Sequence, residues 1–198
     1  MPLQDAMSTQ RAIRRLLPDP VDDAIVLRCI ELALKAPTGS NGQNWEFVIV
    51  KDREVKERLA KRNSQIWALY GRIGRLLARG DEGAQRIMQA VQWQADNFAD
   101  IPTLVVGCLR GNRVPMVLYP SMQNLLLAAR AMGLGGTLIT MPLWSTASAR
   151  SILGLPFTVQ PCCIAALGWP RGRYGPTTRK PVGEVVHLDR HGHQPWRP

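Results

Sequence analysis

Along this chain, stretches in which apolar residues recur every three or four positions alternate with short runs that are apolar throughout. The first kind predicts helices with one buried face, and the second predicts strands covered on both sides. Residues 21–36, VDDAIVLRCIELALKA, carry Val26, Ile30, Ala33 and Leu34 at helical spacing. Asp22 and Asp23 stand at the positive end of that helix and Lys35 near its negative end, and Pro37 stops it. WEFVIV (45–50) is a compact β-rich run, and the polar KDREVKERLAKR after it predicts a surface helix. Ile66, Leu69, Tyr70, Ile73, Leu76 and Leu77 form an apolar stripe that predicts a helix over 65–79. A further helix over 82–98 aligns Ala84, Ile87, Met88, Val91, Ala95 and Phe98.

Three more apolar runs, TLVVGCL (103–109), TLITM (137–141) and CCIAALG (162–168), predict strands. YPSMQNLLLAARAMGLGG between the first two predicts a helix of small and apolar residues closing at Gly133 and Gly135. Ser145 caps a short helix that ends at Gly154, and residues 169–198 hold no long periodic element. Strands apolar on both faces imply one sheet with helices on each side. No repeat or low-complexity stretch divides the chain, so 1–198 reads as a single domain with a tail. A tail carrying EVVHL and Trp196 is expected to pack on something, and a second copy of the chain is the candidate.

The composition, 198 residues with 45% hydrophobic and 20% charged, is that of a globular domain rather than a disordered chain. No apolar run approaches the ~20 residues that span a bilayer. The opening MPLQDAMSTQRAIRR has no apolar core, so a secretory signal is not expected. Cys29, Cys108, Cys162 and Cys163 show no CxxC spacing; buried reduced thiols and a cytoplasmic location are the expectation. The net charge of +10 calls for an explanation. Nucleic-acid binding calls for a basic face with interleaved aromatics or a recognisable module, and no zinc-finger, helix-turn-helix or RNP-like pattern is present. A phosphorylated cofactor with a charged surface accounts for the excess at least as well.

Three constellations carry candidate chemistry. Arg11 and Arg15 are four apart, which on one helical turn would point both guanidiniums at a shared phosphate; solvated surface arginines are the plainer alternative. PTGSNGQ (37–43) crowds Thr38, Ser40, Asn41 and Gln43 around Gly39 and Gly42, which suits either a flat polar ligand or a turn satisfying its own backbone. GPTTRKP (175–181) puts Arg179 in an irregular segment, as a second phosphate contact or as a surface residue.

Taken in order, the arginine pair, APTGSNGQNWEFVIV, QNLLLAARAMGLGG and GPTTRKPVGEVVH resemble the nitroreductase family of FMN-dependent oxidoreductases over roughly residues 8 to 190. The resemblance implies an α+β fold with a central mixed sheet covered by helices on both faces. It implies an intertwined homodimer that exchanges C-terminal arms (about 175–198), with FMN at the subunit interface. Arg11 and Arg15, with Ala12 and Ile13 between them, match the FMN-phosphate segment, and Arg179 matches a C-terminal arginine that joins it. Thr38, Gly39, Ser40, Asn41 and Gln43 match the loop around the ribityl chain and pyrimidine edge, contributed by the neighbouring subunit. Leu138, Ile139, Thr140 and Met141 match backbone lying against the ring, and Gln123 is a further contact. Ile13 stands where the family often has Ser, and Asn44 where Pro usually follows Gln; both departures bear on substrate choice.

The implied reaction is ping-pong hydride transfer from NAD(P)H through FMN to a nitroarene, quinone or similar flat acceptor. Flavin fragmentation, dehalogenation and oxidation of a peptide-like substrate are alternatives on the same fold, and nucleic-acid binding is a more distant one. The cofactor carries such chemistry, so no catalytic acid, base or nucleophile is assigned. Trp67, Tyr70 and Trp93 are candidates to cover a flat substrate, with core or interface packing as the alternative. His187, His191 and His193 lie in a Gly- and Pro-containing tail without a completing cluster, so no metal site is expected. Neither nucleic acid nor membrane is expected as a partner.

Overall fold

The computed structural model describes residues 1–111 and 114–197. A short helix that the apolar pattern does not announce, α1 (Leu3–Thr9), leads into an extended segment. The elements that follow are α2 (Asp23–Ala33), β1 (Trp45–Val50), α3 (Arg53–Leu77), α4 (Glu82–Asp96), β2 (Thr103–Arg110), α5 (Tyr119–Ala131), β3 (Gly135–Ile139), α6 (Thr146–Leu153) and β4 (Val159–Gly168). The strands form one sheet in the order β1-β2-β4-β3, and all three ladders are antiparallel. The parallel component is a single bridge between Ala12 and Gly136.

Alternation along the central strands builds two cores. Val105 and Leu109 of β2 with Cys163, Ala165 and Leu167 of β4 pack against Val26, Cys29 and Ala33 of α2 and Met122, Leu125 and Ala129 of α5. Leu104, Val106 and Cys108 with Ile164 and Ala166 face the other way, onto Leu59 of α3, Phe98 and Ala149 of α6. Both faces are thus covered, which is why these strands read as unbroken apolar runs. Caps define the helix ends: Asp22 accepts from the Ala24 N–H and Asp52 from the Val55 N–H, while Gly154 closes α6 with φ 64°.

Two expectations are corrected here. The separate helices over 51–62 and 65–79 are one helix, α3, because no Gly or Pro interrupts Arg62–Asn63–Ser64–Gln65. Its buried side is Leu59, Asn63, Trp67 and Gly71, spaced by four, whereas much of the predicted apolar stripe lies in solvent: Leu69 is 62% and Leu77 79% exposed. Ile73, Leu76 and Tyr70 share that exposure. On α4, Ala95 is buried and Phe98 follows in the core, but Ile87 is exposed.

Beyond β4 the chain pairs briefly with the N-terminal segment and then folds on itself. Gln194 Nε2 donates to the Glu184 carbonyl at 2.8 Å, and the Leu188 N–H donates to the His193 carbonyl at 2.8 Å. Val182, Val185 and Trp196 remain exposed on this tail, whose final residue, Pro198, lies outside the described residues. Among the described residues no helix is long and apolar enough to cross a membrane.

Candidate active site

The helical-turn reading of Arg11 and Arg15 is corrected by the backbone. The chain leaves α1 at Gln10 with extended dihedrals and runs along the end of the sheet. The Ile13 N–H donates to the Gly136 carbonyl at 3.0 Å, the Leu17 N–H to Trp169 at 2.8 Å and the Arg171 N–H to Arg15 at 3.1 Å. A Cβ on Gly135 would sit 2.8 Å from Leu16 Cδ2 and 2.9 Å from Ile13 Cγ2, so a glycine is needed where this segment crosses β3.

This stitching gathers guanidiniums from three parts of the chain. Arg11, Arg14 and Arg15 from the N-terminal segment, Arg86 from α4, and Arg171 and Arg173 from beyond β4 line one cavity of about 910 Å3. Ala12, Ile13, Ile87, Ala90, Trp93 and Gly172 complete its wall, and no carboxylate does. None of the five ion pairs among the described residues involves any of these six arginines. Arg14 is half-buried, and burial pushes its guanidinium below its ordinary pKa. A cavity so charged, with a partly desolvated cation and no internal counter-ion, fits a phosphate dianion.

Arg11 and Arg15 therefore line the same cavity, from an extended segment rather than one helical turn. Sequence reasoning passed over Arg14, Arg86, Arg171 and Arg173. Only the WPRGR run after β4 hints at the last two. Arg179 is not among the residues lining this cavity; it is exposed, and its Nη1 donates to the adjacent Thr178 carbonyl at 2.8 Å.

The 37–43 loop lies elsewhere in the single chain. Thr38 and Gly39 line a separate cavity of about 280 Å3 with Asn44, Trp45, Leu109 and Val117. Gly42 has an ordinary φ of −68°, while Ser40, Asn41 and Gln43 take φ of 50°, 51° and 43°. Left-handed backbone at non-glycine residues costs on the order of 1–3 kcal/mol each and clusters at binding sites. Some internal satisfaction is present as well: Gln43 Nε2 donates to Asn41 Oδ1 at 3.1 Å, and the Gln43 N–H to Thr38 Oγ1 at 3.3 Å. The side chains of Ser40, Asn41 and Gln43 are exposed.

The remaining candidates separate. Leu138 is partly exposed, Ile139 is buried at the end of β3, and Thr140 and Met141 leave the sheet into a short 3-10 turn over Met141–Leu143. Gln123 is exposed on α5. Trp67 is 8% exposed, its Nε1 donates to Gln92 Oε1 at 2.7 Å, and its ring lies against Gly71. It is a packing residue of the α3–α4 seam. Tyr70 is exposed and pairs with Trp144, ring centroids 5.3 Å apart. Trp93 alone of the three aromatics lines the arginine cavity. It also borders a neighbouring cavity of about 570 Å3 with Arg15, Arg75, Gln85, Gln89 and Gln92.

The cysteines are free and buried, and burial pushes the Cys108 and Cys163 thiols up to about 12 and those of Cys29 and Cys162 to about 11. Thiols so shifted are not nucleophiles near neutrality. His187 Nδ1 accepts from the Gly192 N–H at 3.0 Å.

Comparison with known proteins gives this arrangement its context. The model of the Nitroreductase family matches residues 7–169, from the end of α1 through β4. The chain belongs to the nitroreductase family. A relative from Thermus thermophilus, an NADH dehydrogenase, is 29% identical over 94% of this chain and 97% of its own length. An iodotyrosine deiodinase solved with FMN and 3-iodo-L-tyrosine superimposes with a TM-score of 0.75 at 20% identity, covering 96% of this chain and 99% of the other. An FMN- and NADPH-dependent nitroreductase from sphigopyxis sp. strain HMH gives a TM-score of 0.73 at 18% identity, covering 95% and 99%. The nitroreductase-family match thus includes the segment that supplies Arg11, Arg14 and Arg15 and ends just before Arg171.

Proposed function

We propose that this nitroreductase-family protein is an FMN-dependent NAD(P)H oxidoreductase that reduces a nitroaromatic, quinone or similar flat acceptor. The observation that carries the reading is the acid-free cavity ringed by six arginines, of which Arg11, Arg14 and Arg15 lie near the start of the family match. Bound FMN supplies hydride acceptance from a nicotinamide and hydride donation to the second substrate. The chain's own residues bind, orient and polarise. Arg11, Arg14 and Arg15 would hold the phosphate through charge-assisted hydrogen bonds. The amides and hydroxyls of Thr38, Ser40, Asn41 and Gln43 would satisfy ribityl hydroxyls and the pyrimidine edge, each of which costs about 1–3 kcal/mol if buried unpaired. Backbone N–H groups over Leu138–Met141 would favour negative charge on the ring. No protein acid is invoked, because water can protonate the products.

The working unit is a homodimer. The loop and the arginines line different cavities of one chain, so a complete site needs the loop of a second copy. The exposed Leu69, Ile73, Leu76 and Leu77 on α3 and the exposed Val182, Val185 and Trp196 on the tail supply apolar surface for that contact. In this reading residues 175–198 pack on the partner and bring Arg179 toward its phosphate. Removing residues 180–198 would then yield monomers by light scattering; a stable dimer would refute arm exchange. Reductive dehalogenation is the second reading, prompted by the fold likeness to an iodotyrosine deiodinase solved with FMN and its substrate.

The deciding experiment is an absorption spectrum of the purified protein, repeated after anaerobic addition of NADPH or NADH. Flavin bands that bleach support the reductase. Bands that persist favour the alternative chemistry, and no bands after FMN is supplied would overturn the reading.

A further inference from the structure

The arginine cavity holds more positive charge than one flavin phosphate can use. A phosphate monoester carries about two negative charges near neutrality. Arg11, Arg14 and Arg15 already outnumber it, yet Arg86, Arg171 and Arg173 line the same space with no carboxylate among the lining residues. These three come from two parts of the chain, Arg86 from α4 and Arg171 with Arg173 from the segment beyond β4. The Arg171 N–H donates to the Arg15 carbonyl at 3.1 Å, and the Arg171 guanidinium lies 5.4 Å from the Trp93 ring centroid. Arg173 follows one glycine later, and Arg86 projects from α4 with only a 3.3 Å contact from its Nε to the Glu82 carbonyl. Unneutralised, six guanidiniums around one cavity repel each other. No carboxylate lines this cavity to offset them, and these six make no ion pair among the described residues.

We propose that Arg86, Arg171 and Arg173 form a second phosphate subsite beside the flavin-phosphate arginines, and that it takes the 2′-phosphate of NADPH. The inference rests on the FMN oxidoreductase reading and makes NADPH, rather than NADH, the reductant. Both dinucleotides carry a diphosphate, whose two phosphorus centres bear about one charge each. Only NADPH adds a monoester dianion with three terminal oxygens, and several guanidiniums lining one cavity suit that group. Substrate binding there leaves the flavin phosphate on its own arginines.

The test uses FMN-loaded protein and two probes, adenosine 2′,5′-bisphosphate and adenosine 5′-diphosphate, titrated by calorimetry. The bisphosphate is expected to bind at least about tenfold more tightly, as one charge-assisted contact set confers. Arg86→Gln with Arg173→Gln, both exposed and free of tertiary hydrogen bonds among the described residues, should cut that advantage to about threefold or less while flavin absorbance is retained. The same pair should lower the NADPH-to-NADH ratio of kcat/KM for flavin reduction, chiefly through KM. Equal binding of the two probes would assign the arginines to a diphosphate and overturn the proposal. Binding of neither, or an advantage untouched in the double variant, would overturn it too, the first pointing to an anionic electron acceptor. Should the protein take up no FMN, the parent reading fails separately. The titration on flavin-free protein then decides: sensitivity to Arg86 and Arg173 but not to Arg11→Gln upholds the subsite, and any other pattern rejects it.

Discussion

Arg14 gives the sharpest test of the flavin-phosphate site, because its removal should move two observables in opposite directions. The guanidinium is half-buried, lies in the cavity with five others and has no ion pair among the described residues. In the free protein this charge is a cost: desolvation already lowers its pKa from the ordinary value, and its neighbours repel it. Arg14→Met keeps the apolar stem and deletes the charge. The free protein should therefore hold its stability within about 0.5 kcal/mol or gain slightly, a Tm change of roughly 1–2 °C for a chain of this size. Flavin binding should go the other way. One or two hydrogen bonds to a charged phosphate are worth about 1.5–3 kcal/mol, so the FMN dissociation constant should rise roughly 10- to 150-fold. Differential scanning fluorimetry of flavin-free protein and fluorescence titration with FMN measure the two arms. A fall in Tm of several degrees together with weaker binding would make Arg14 a structural residue. An unchanged dissociation constant would remove the phosphate from this cavity.

Gly135→Val should strike both fold and site, since its Cβ would stand 2.8 Å from Leu16 and 2.9 Å from Ile13; overpacking of about 1–3 kcal/mol and lost FMN retention are expected, checked by thermal melting and flavin absorbance. Ser40→Gly relieves a φ of 50° and should raise the Tm of flavin-free protein, by up to about 1–2 kcal/mol of stability, while weakening FMN binding; a lower Tm would contradict the strain. Alkaline stability reads out the buried thiols. Folding raises the Cys108 and Cys163 pKa from 9.0 to about 12, so the folded state alone keeps these protons across that window. Their contribution is complete below pH 9 and is lost as pH climbs toward 12, and Cys163→Ala should flatten that part of a denaturation-against-pH curve.

The covered sheet was legible because burial on two faces leaves a mark at each position. Val105, Val106, Ile164 and Ala165 are apolar whichever way they point, and the structure divides them between two cores. Caps were legible for a similar local reason, as Asp22, Ser145 and Gly154 act within a turn of themselves. The apolar stripe on α3 was legible as a helical pattern, yet Leu69, Ile73, Leu76 and Leu77 of it are exposed, since periodicity marks an apolar face without saying what packs against it. α1 escaped notice because Ala6 is its only buried residue, too little for a period.

By itself, then, the sequence determined most of the elements, the two-sided sheet, the arginine-rich start and the crowded polar loop. Each depends on neighbours within a few residues, or on a family motif spread along the chain. Tertiary structure alone decided that residues 10–17 run extended, that Arg14, Arg86, Arg171 and Arg173 join Arg11 and Arg15, and that Trp93 faces their cavity while Trp67 does not. Those facts rest on pairings between segments more than a hundred residues apart, Ile13 with Gly136 and Leu16 with Pro170. A backbone hydrogen bond carries no side-chain signature, so nothing in residues 10–17 announces which distant strand end they will meet.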